Sequence, residues 1–523
     1  MHCVIGTGPA AATAARVLAE KGLDVWIIDP SFGPDEATRE LTARMSQREP
    51  SDWAPQDLAA LKANMQASGD GIPRKLVYGS DFPYRQVDGA PPVELVDAEM
   101  LRSFAEAGLS NVWGACILPY PDAELSDWPM APGEMQEHYR SVLTSIPFSG
   151  ADDALSELFP HSPNPTQPAV TSPQCETLLA DLSRKETSLR RKGIRFGAAR
   201  LAVSTDMDGR FCRRCGLCLY GCPYRLIYSA SQTLDALRSA ENVVFKRGLW
   251  VHSVEQRGSG VRVNARRCDN GKAVTIDANK VYLGAGVVES TRILLQSLAA
   301  FDEPLVGLHS DRFVLPLIRL QKSRGIANDP LHTMAQVFLE IQDSNLCDEL
   351  VHVQLYGYNE LFRQAIDDKL GRSKRWMGPL AHAILLERLM VGFGYLHSKR
   401  SAKLEFRLER DGHLRIRGVR GAETQKLCRS IVAKLRAAGV GFRTFVGGAK
   451  LAAPGGGNHS GGTFPMAATP GRFQSSAAGV PSGFRDLHVV DASVLPSLSA
   501  TTITLTAMAN ASRIASRALT ESQ

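Results

Sequence analysis

Cys3-Val4-Ile5-Gly6-Thr7-Gly8-Pro9-Ala10-Ala11 decides the fold. An apolar strand runs into a tight glycine turn, and a helix starts at once. Gly6 permits the turn, and Gly8 lets backbone approach a pyrophosphate. Ala11 stands at the third glycine position, where a small side chain lets the helix pack on the strand. The Ala-rich stretch 10–21 is expected to be that helix, ending near Gly22. Asp24-Val25-Trp26-Ile27-Ile28 follows as a second strand and ends in Asp29, 23 residues after Gly6. A carboxylate there can accept hydrogen bonds from ribose hydroxyls. Strand, glycine turn, helix, strand and acid together predict a Rossmann-like dinucleotide site. They do not separate NAD from FAD.

The chain has 523 residues, too many for one hydrophobic core, so two or three folding units are expected. Hydrophobic residues make up 44% and charged residues 22%, as in soluble globular proteins. A net charge of +6 over this length does not argue for nucleic acid. Of ten cysteines, four crowd into 212–222 and the rest scatter, which points to a reducing, cytoplasmic setting rather than a secreted disulfide scaffold. No signal peptide is apparent, and no uninterrupted apolar run reaches the length of a membrane span. The nearest candidate, 379–396, is broken by His382, Glu387 and Arg388 and preceded by Arg372, Lys374 and Arg375. A buried helix running into a strand is the expected reading. Peripheral membrane contact through an interfacial helix is the alternative.

Later segments narrow the cofactor. Gly108-Leu109-Ser110-Asn111-Val112-Trp113-Gly114 precedes Ser126-Asp127-Trp128-Pro129. Val243-Val244-Phe245 leads to Trp250-Val251-His252-Ser253-Val254. Val281-Tyr282-Leu283-Gly284-Ala285-Gly286 leads to Ser290-Thr291-Arg292-Ile293-Leu294-Leu295. Asn458-His459-Ser460-Gly461-Gly462-Thr463-Phe464-Pro465-Met466 and Leu487-His488-Val489-Val490-Asp491-Ala492-Ser493-Val494-Leu495-Pro496 come last. In this order they resemble the motifs of the glucose–methanol–choline (GMC) oxidoreductases, over about two thirds of the chain. The resemblance implies FAD. It places Ser110, Asn111, Trp113 and Gly114 where the family wraps its flavin, Val251 on the adenine-side strand, and Gly284, Ala285 and Gly286 at a second close backbone approach. It places Asp491, Ala492 and Thr504, at the start of a closing helix over 504–518, on the flavin phosphates and ring edge.

The fold class expected is α/β with an α+β substrate part: a Rossmann-like FAD-binding domain and a substrate domain on a mostly antiparallel sheet. The boundaries read 1–305, 306–445 and 446–523. The first segment carries an excursion at 30–107, a Ser/Pro-rich surface connection at 147–172 and a cysteine loop at 211–223. Within 306–420, strand-like runs at 334–341, 351–356, 389–395, 403–408 and 414–417 suggest an antiparallel sheet roofing the flavin. Residues 425–438 read as an amphipathic helix.

In the family, a base takes the hydroxyl proton of an alcohol and flavin takes the carbon-bound hydrogen. His459 matches the position of that base, and imidazole suits the task. The chain departs from the family at the second polar partner, normally His or Asn. Thr502 stands there, and a hydroxyl is no base. Asn458, beside His459, is a candidate to compensate.

Cys212-Arg-Arg-Cys215-Gly-Leu-Cys218-Leu-Tyr-Gly-Cys222-Pro223 has the C-x2-C-x2-C-x3-C-P spacing of a ferredoxin loop. A [4Fe-4S] or [3Fe-4S] cluster on Cys212, Cys215, Cys218 and Cys222 is the leading expectation. Zinc on the same thiolates and a metal-free loop remain alternatives. The expectation for the whole is thus an FAD-dependent dehydrogenase oxidising a small-molecule alcohol, with a sugar or polyol as the expected class. Electrons would leave to a carrier protein or a quinone. A non-oxidising, isomerase-like flavoprotein or a flavin-binding subunit of a larger complex is the alternative.

Overall fold

The computed structural model describes residues 1–63, 66–67, 73–159, 169, 171–204, 206–207, 210–320, 333–357, 359, 384–385 and 387–520. At its centre five parallel strands run in the order Leu487–Val489, Lys280–Leu283, His2–Ile5, Val25–Asp29, Val243–Arg247. Their residues are apolar almost without break (Cys3, Val4, Val25, Ile28 and Val281 are fully buried), as strands covered on both faces must be. The helix Pro9–Glu20 covers the sheet and packs along the closing helix Ile503–Thr520. Both helices offer small residues, such as Ala11, Ala14, Ala511 and Ala515, so their axes can approach closely. After Val243–Arg247 the chain turns at Gly248 (φ +72°) into a separate antiparallel sheet of Leu249–Gln256, Val261–Arg267 and Ala273–Ala278.

The strand-like runs of the 306–420 region divide between two sheets, a correction to the single roof expected. Leu305–His309, Lys403–Leu408 and Leu414–Val419 join Ser460–Gly461 and Val93–Val96 in one five-stranded sheet. Leu404, Phe406, Leu408, Leu414 and Ile416 pack into the same core as the parallel sheet. The roof proper contains Thr444–Val446, Arg312–Arg319, Leu389–Leu396, Cys347–Tyr356, Val337–Asp343 and Ile194–Ala198, with Lys450–Leu451 added on Arg312–Arg319. Its last strand comes from far upstream and was not anticipated.

Alternation along the roof gives it two faces. Phe313, Leu315, Leu317, Leu339, Ile341, Val351, Val353 and Leu355 pack against the helices Pro173–Ser183 and Ala422–Gly439, which contribute Leu178, Leu182, Ile431 and Leu435. The residues between them face the other way, toward the parallel sheet.

The excursion at 30–107 is more ordered than its sequence suggested. It holds the helices Glu36–Ser46 and Pro55–Leu61 and buries Met45, Trp53 and Leu61. The expected surface connection begins as core, with Phe148, Leu155 and Phe159 buried. Its prolines Pro160, Pro163, Pro165 and Pro168 lie outside the described residues, as do Arg372, Lys374, Arg375 and 379–383. The described end of the 379–396 segment is the buried strand Leu389–Leu396. Among the described residues no helix is long and apolar enough to cross a membrane.

Candidate active site

One cavity of about 590 Å³ runs from the N-terminal glycine turn to His459, within the size range of cofactor and ligand sites. Gly6 makes the turn at φ +105°, and a Cβ there would meet the carbonyl oxygen of Gly284 at 2.3 Å. Gly8 caps the Pro9–Glu20 helix with no side-chain hydrogen bond to its free N–H groups. Ala11 does not line the cavity. It packs beneath, where a Cβ on Gly284 would meet its own at 2.9 Å.

Two further helices begin at this cavity. Gly286 (φ +83°) caps Val287–Ser297, again without a side-chain bond, and Thr502, Ile503 and Thr504 bring in the start of Ile503–Thr520. The positive ends of three helix dipoles therefore converge on one space, and the first two of these starts lack a side-chain cap, an arrangement that suits an anionic ligand. Gly284, Ala285, Ala492, Trp113, Gly114 and Val251 complete the walls.

Several expected side chains line the cavity but make their hydrogen bonds to protein. Asp491 accepts from Gly286 N (2.8 Å), Ser290 Oγ (2.5 Å) and Ser493 N (2.9 Å), so its carboxylate fixes the Gly286 turn. Ser110 Oγ donates to Ala107 O (2.6 Å) and accepts from Ala230 N (3.0 Å). Asn111 differs from expectation. Its amide donates to Glu106 O and Gly108 O, fastening the turn, and the residue stands outside the lining. Asp29 accepts from Ser31 N (2.6 Å) and Ser31 Oγ (2.9 Å), and burial pushes its carboxyl up to about 7. Near it, burial opposes the charge on Glu289, but Arg292 and Arg102 more than offset this and hold its carboxyl below the ordinary range.

The far end of the cavity is walled by the roof. The strand registers set Glu340 opposite His352, His352 opposite Tyr395, and Tyr395 opposite Arg312. A second row places Gln354 opposite Phe393. Directly opposed residues share a face, so these side chains form one polar–aromatic surface. Tyr395, Arg312, Gln354, Phe393 and Tyr356 all line the cavity, and none was singled out from sequence. Behind them His352 Nδ1 lies 2.6 Å from Glu340 Oε1, both fully enclosed.

His459 is carried to this wall by the short strand Ser460–Gly461, which pairs with Leu308–His309. Its carbonyl accepts from Ser310 N (2.9 Å). Its ring stacks on Tyr395, with centroids 4.8 Å apart and planes at 25°. Nδ1 is buried without a hydrogen-bond partner among the described residues. Burial, then His352, His309 and Arg312, push the imidazole down to about 3, so it is held neutral. Asn458, beside it in left-handed backbone (φ +59°), is exposed at the cavity edge. Thr502 Oγ1 accepts from Leu118 N (3.1 Å), so this buried hydroxyl oxygen already serves the fold.

Next to the cavity stands the 212–222 loop. Lys75 lines the cavity, donates to Trp113 O (2.9 Å), and lies within electrostatic reach of Cys218. Burial pushes its ammonium down to about 8. All ten cysteines are free thiols: Cys212 is exposed, and Cys215, Cys218 and Cys222 are half-buried.

No family model matches the chain. Among curated proteins it is similar to the 6'''-hydroxyparomomycin C oxidase of Streptomyces lividus, 26% identical over 325 residues. The match covers 59% of this chain and 52% of that protein, so the chain spans about half the length of this relative. Among solved structures it is similar to pyridoxine 4-oxidase from Mesorbium loti, with a TM-score of 0.60 at 16% identity over 99% of this chain and 98% of the other. That likeness establishes the fold, the mixed α/β architecture that the sequence motifs implied.

Proposed function

We propose that the chain is an FAD-dependent oxidoreductase of the GMC type that oxidises the CH–OH group of a small molecule, with a sugar or polyol hydroxyl as the favoured substrate. The observation that carries this reading is the single cavity joining the glycine turn to His459. The helix starts at Pro9 and Val287, both without a side-chain cap, and the Gly6, Gly8, Gly284 and Gly286 backbone fit the pyrophosphate of a dinucleotide. Asp29 suits its ribose, and Trp113 and Gly114 the ring system. Two similar proteins are oxidases by name, one of them named for a hydroxy compound.

A flavin bound there supplies an acceptor for the carbon-bound hydrogen as hydride. The protein's own part is proton transfer and placement. His459, neutral in its half-buried setting, takes the hydroxyl proton. Tyr395 fixes the imidazole plane by stacking, and the Ser310–His459 backbone bond fixes its height. Gln354, Tyr356 and Asn458 are positioned to hydrogen-bond further substrate hydroxyls, and Phe393 offers a face against which a sugar ring can stack. Electrons would pass on to a carrier protein or a quinone.

Thr502 favours a second reading. With its oxygen engaged by Leu118 N, it is a poor substitute for the family's second polar partner, as in a flavoprotein that does not oxidise or serves as a flavin-binding subunit. Anaerobic mixing with sugars, polyols and aromatic alcohols separates the two. Bleaching of flavin absorbance is expected from at least one class. A flavin-loaded protein that no alcohol bleaches would establish the second reading, and a protein that takes up no flavin would overturn both.

A further inference from the structure

We propose that the 212–222 loop holds a [4Fe-4S] cluster, with Cys215, Cys218 and Cys222 as its inner ligands and Cys212 as its solvent-side ligand. This inference stands apart from the flavin reading, because it rests on the loop itself.

Backbone closes in around the sulfurs. Thr333 N donates to Cys218 Sγ at 3.5 Å. Amides aimed at sulfur stabilise thiolates and tune iron–sulfur centres. The sulfurs of Cys212, Cys215, Cys218 and Cys222 all lie within electrostatic reach of one another. Arg214 (φ +51°), Gly216 (φ +72°) and Gly221 (φ +102°) bend the backbone around the sulfurs, a conformation that is strained for Arg214 in particular.

The loop is also anchored to the core. Leu217, Leu219, Tyr220 and Tyr224 are buried in the core beside the cavity. Tyr78 N donates to Tyr220 O (2.7 Å), and Tyr78 Oη donates to Cys222 O (3.1 Å). Tyr224 Oη donates to Arg48 O (2.7 Å). An anchored loop of this kind holds its ligands in place before metal arrives.

The spacing of the sulfurs bears on iron–sulfur against zinc. A tetrahedral zinc ion at about 2.3 Å from each sulfur draws its ligands closely together. Among the described residues, the one group of three metal-ligating side chains within 4.8 Å of one another is Glu409, Asp411 and His413, at the surface. No three of the loop sulfurs lie within that distance of one another, so the four thiols as folded are not drawn in around a single ion. Lys75 supplies a positive charge between the loop and the cavity, opposite in sign to a cluster on four thiolates. A cluster there would add a one-electron centre beside the cavity.

The test uses the full chain, purified anaerobically from iron-replete cells, with iron, acid-labile sulfide, zinc and flavin measured per chain and EPR recorded. About four irons per chain are expected. Cys218→Ser should lose most of the iron while keeping its flavin content. Cys212→Ser should retain about three irons and, when oxidised, show a three-iron EPR signal. Cys268→Ser, outside the loop, should match the parent. Stoichiometric zinc in place of iron, or no iron even after reconstitution with iron and sulfide, would overturn the proposal. Absence of flavin would bear on the proposed function and leave the iron result standing.

Discussion

Protons are the simplest perturbation of His459. An unperturbed imidazole titrates near 6.5. At pH 5.5 roughly one tenth of it would be neutral, and a reaction that needs the free base would run about tenfold slower than at pH 7.5. Burial, His352, His309 and Arg312 instead hold His459 at about 3, so it stays neutral across this range. Flavin bleaching by a saturating substrate, followed anaerobically in a stopped-flow instrument, should therefore differ by less than about twofold between pH 5.5 and 7.5. His459→Gln should slow bleaching by roughly 10²–10⁴-fold at unchanged flavin content. Stability gives a second readout. The unfolded chain binds a proton at this position below about 6.5, and the folded chain does so only near 3, so stability falls as the pH drops through that window. At pH 5 the term amounts to ~2 kcal/mol. Urea unfolding should accordingly show His459→Gln gaining about that much on the parent between pH 7.5 and pH 5. An acid limb centred between 6 and 7 in the parent enzyme, absent from the variant, would refute the argument that the site holds its imidazole neutral. A variant that bleached at full rate would remove His459 as the base.

Three other substitutions probe the frame. Gly6→Ala combines a φ of +105° with a clash against Gly284 O at 2.3 Å; it should cost about 2–5 kcal/mol in urea unfolding and lower flavin content. Asp181→Ala leaves Arg319 buried without the carboxylate it meets at 2.6 Å, and should cost roughly 3–5 kcal/mol by the same measurement. Thr502→Val removes the acceptor for Leu118 N and should cost about 1–3 kcal/mol, while stopped-flow bleaching changes little because that oxygen is already engaged.

Much of the cavity floor was legible because its signals are local. A glycine turn between a strand and a helix is written in consecutive residues, and Gly6, Gly8, Gly284 and Gly286 all reach the cavity. The overall α/β class followed from the same motifs and stands. The expected helix 10–21 is observed as Pro9–Glu20, and 425–438 as Ala422–Gly439. Asn111 shows the limit of a motif: the sequence placed it in the flavin-wrapping segment, but its amide closes its own turn through Glu106 and Gly108. A short polar side chain in a tight turn often satisfies neighbouring backbone first, and sequence does not say which way it points.

The wall above His459 was illegible for a different reason. Glu340, His352, Tyr395 and Arg312 belong to four strands, and nothing near any of them in sequence refers to the others. They meet because antiparallel register sets them side by side in one row across the roof. The alternation that points them toward the site also points Leu339, Val353 and Phe313 into the helices behind. Sliding one strand by a single residue would exchange the two faces. The apolar core behind the roof thus determines which polar groups reach His459. Mutations at Leu339 or Val353 should therefore disturb the His352–Tyr395–His459 stack although neither of those two side chains lines the cavity. In this fold the packing of the roof and the electrostatics of the base are consequences of the same strand register.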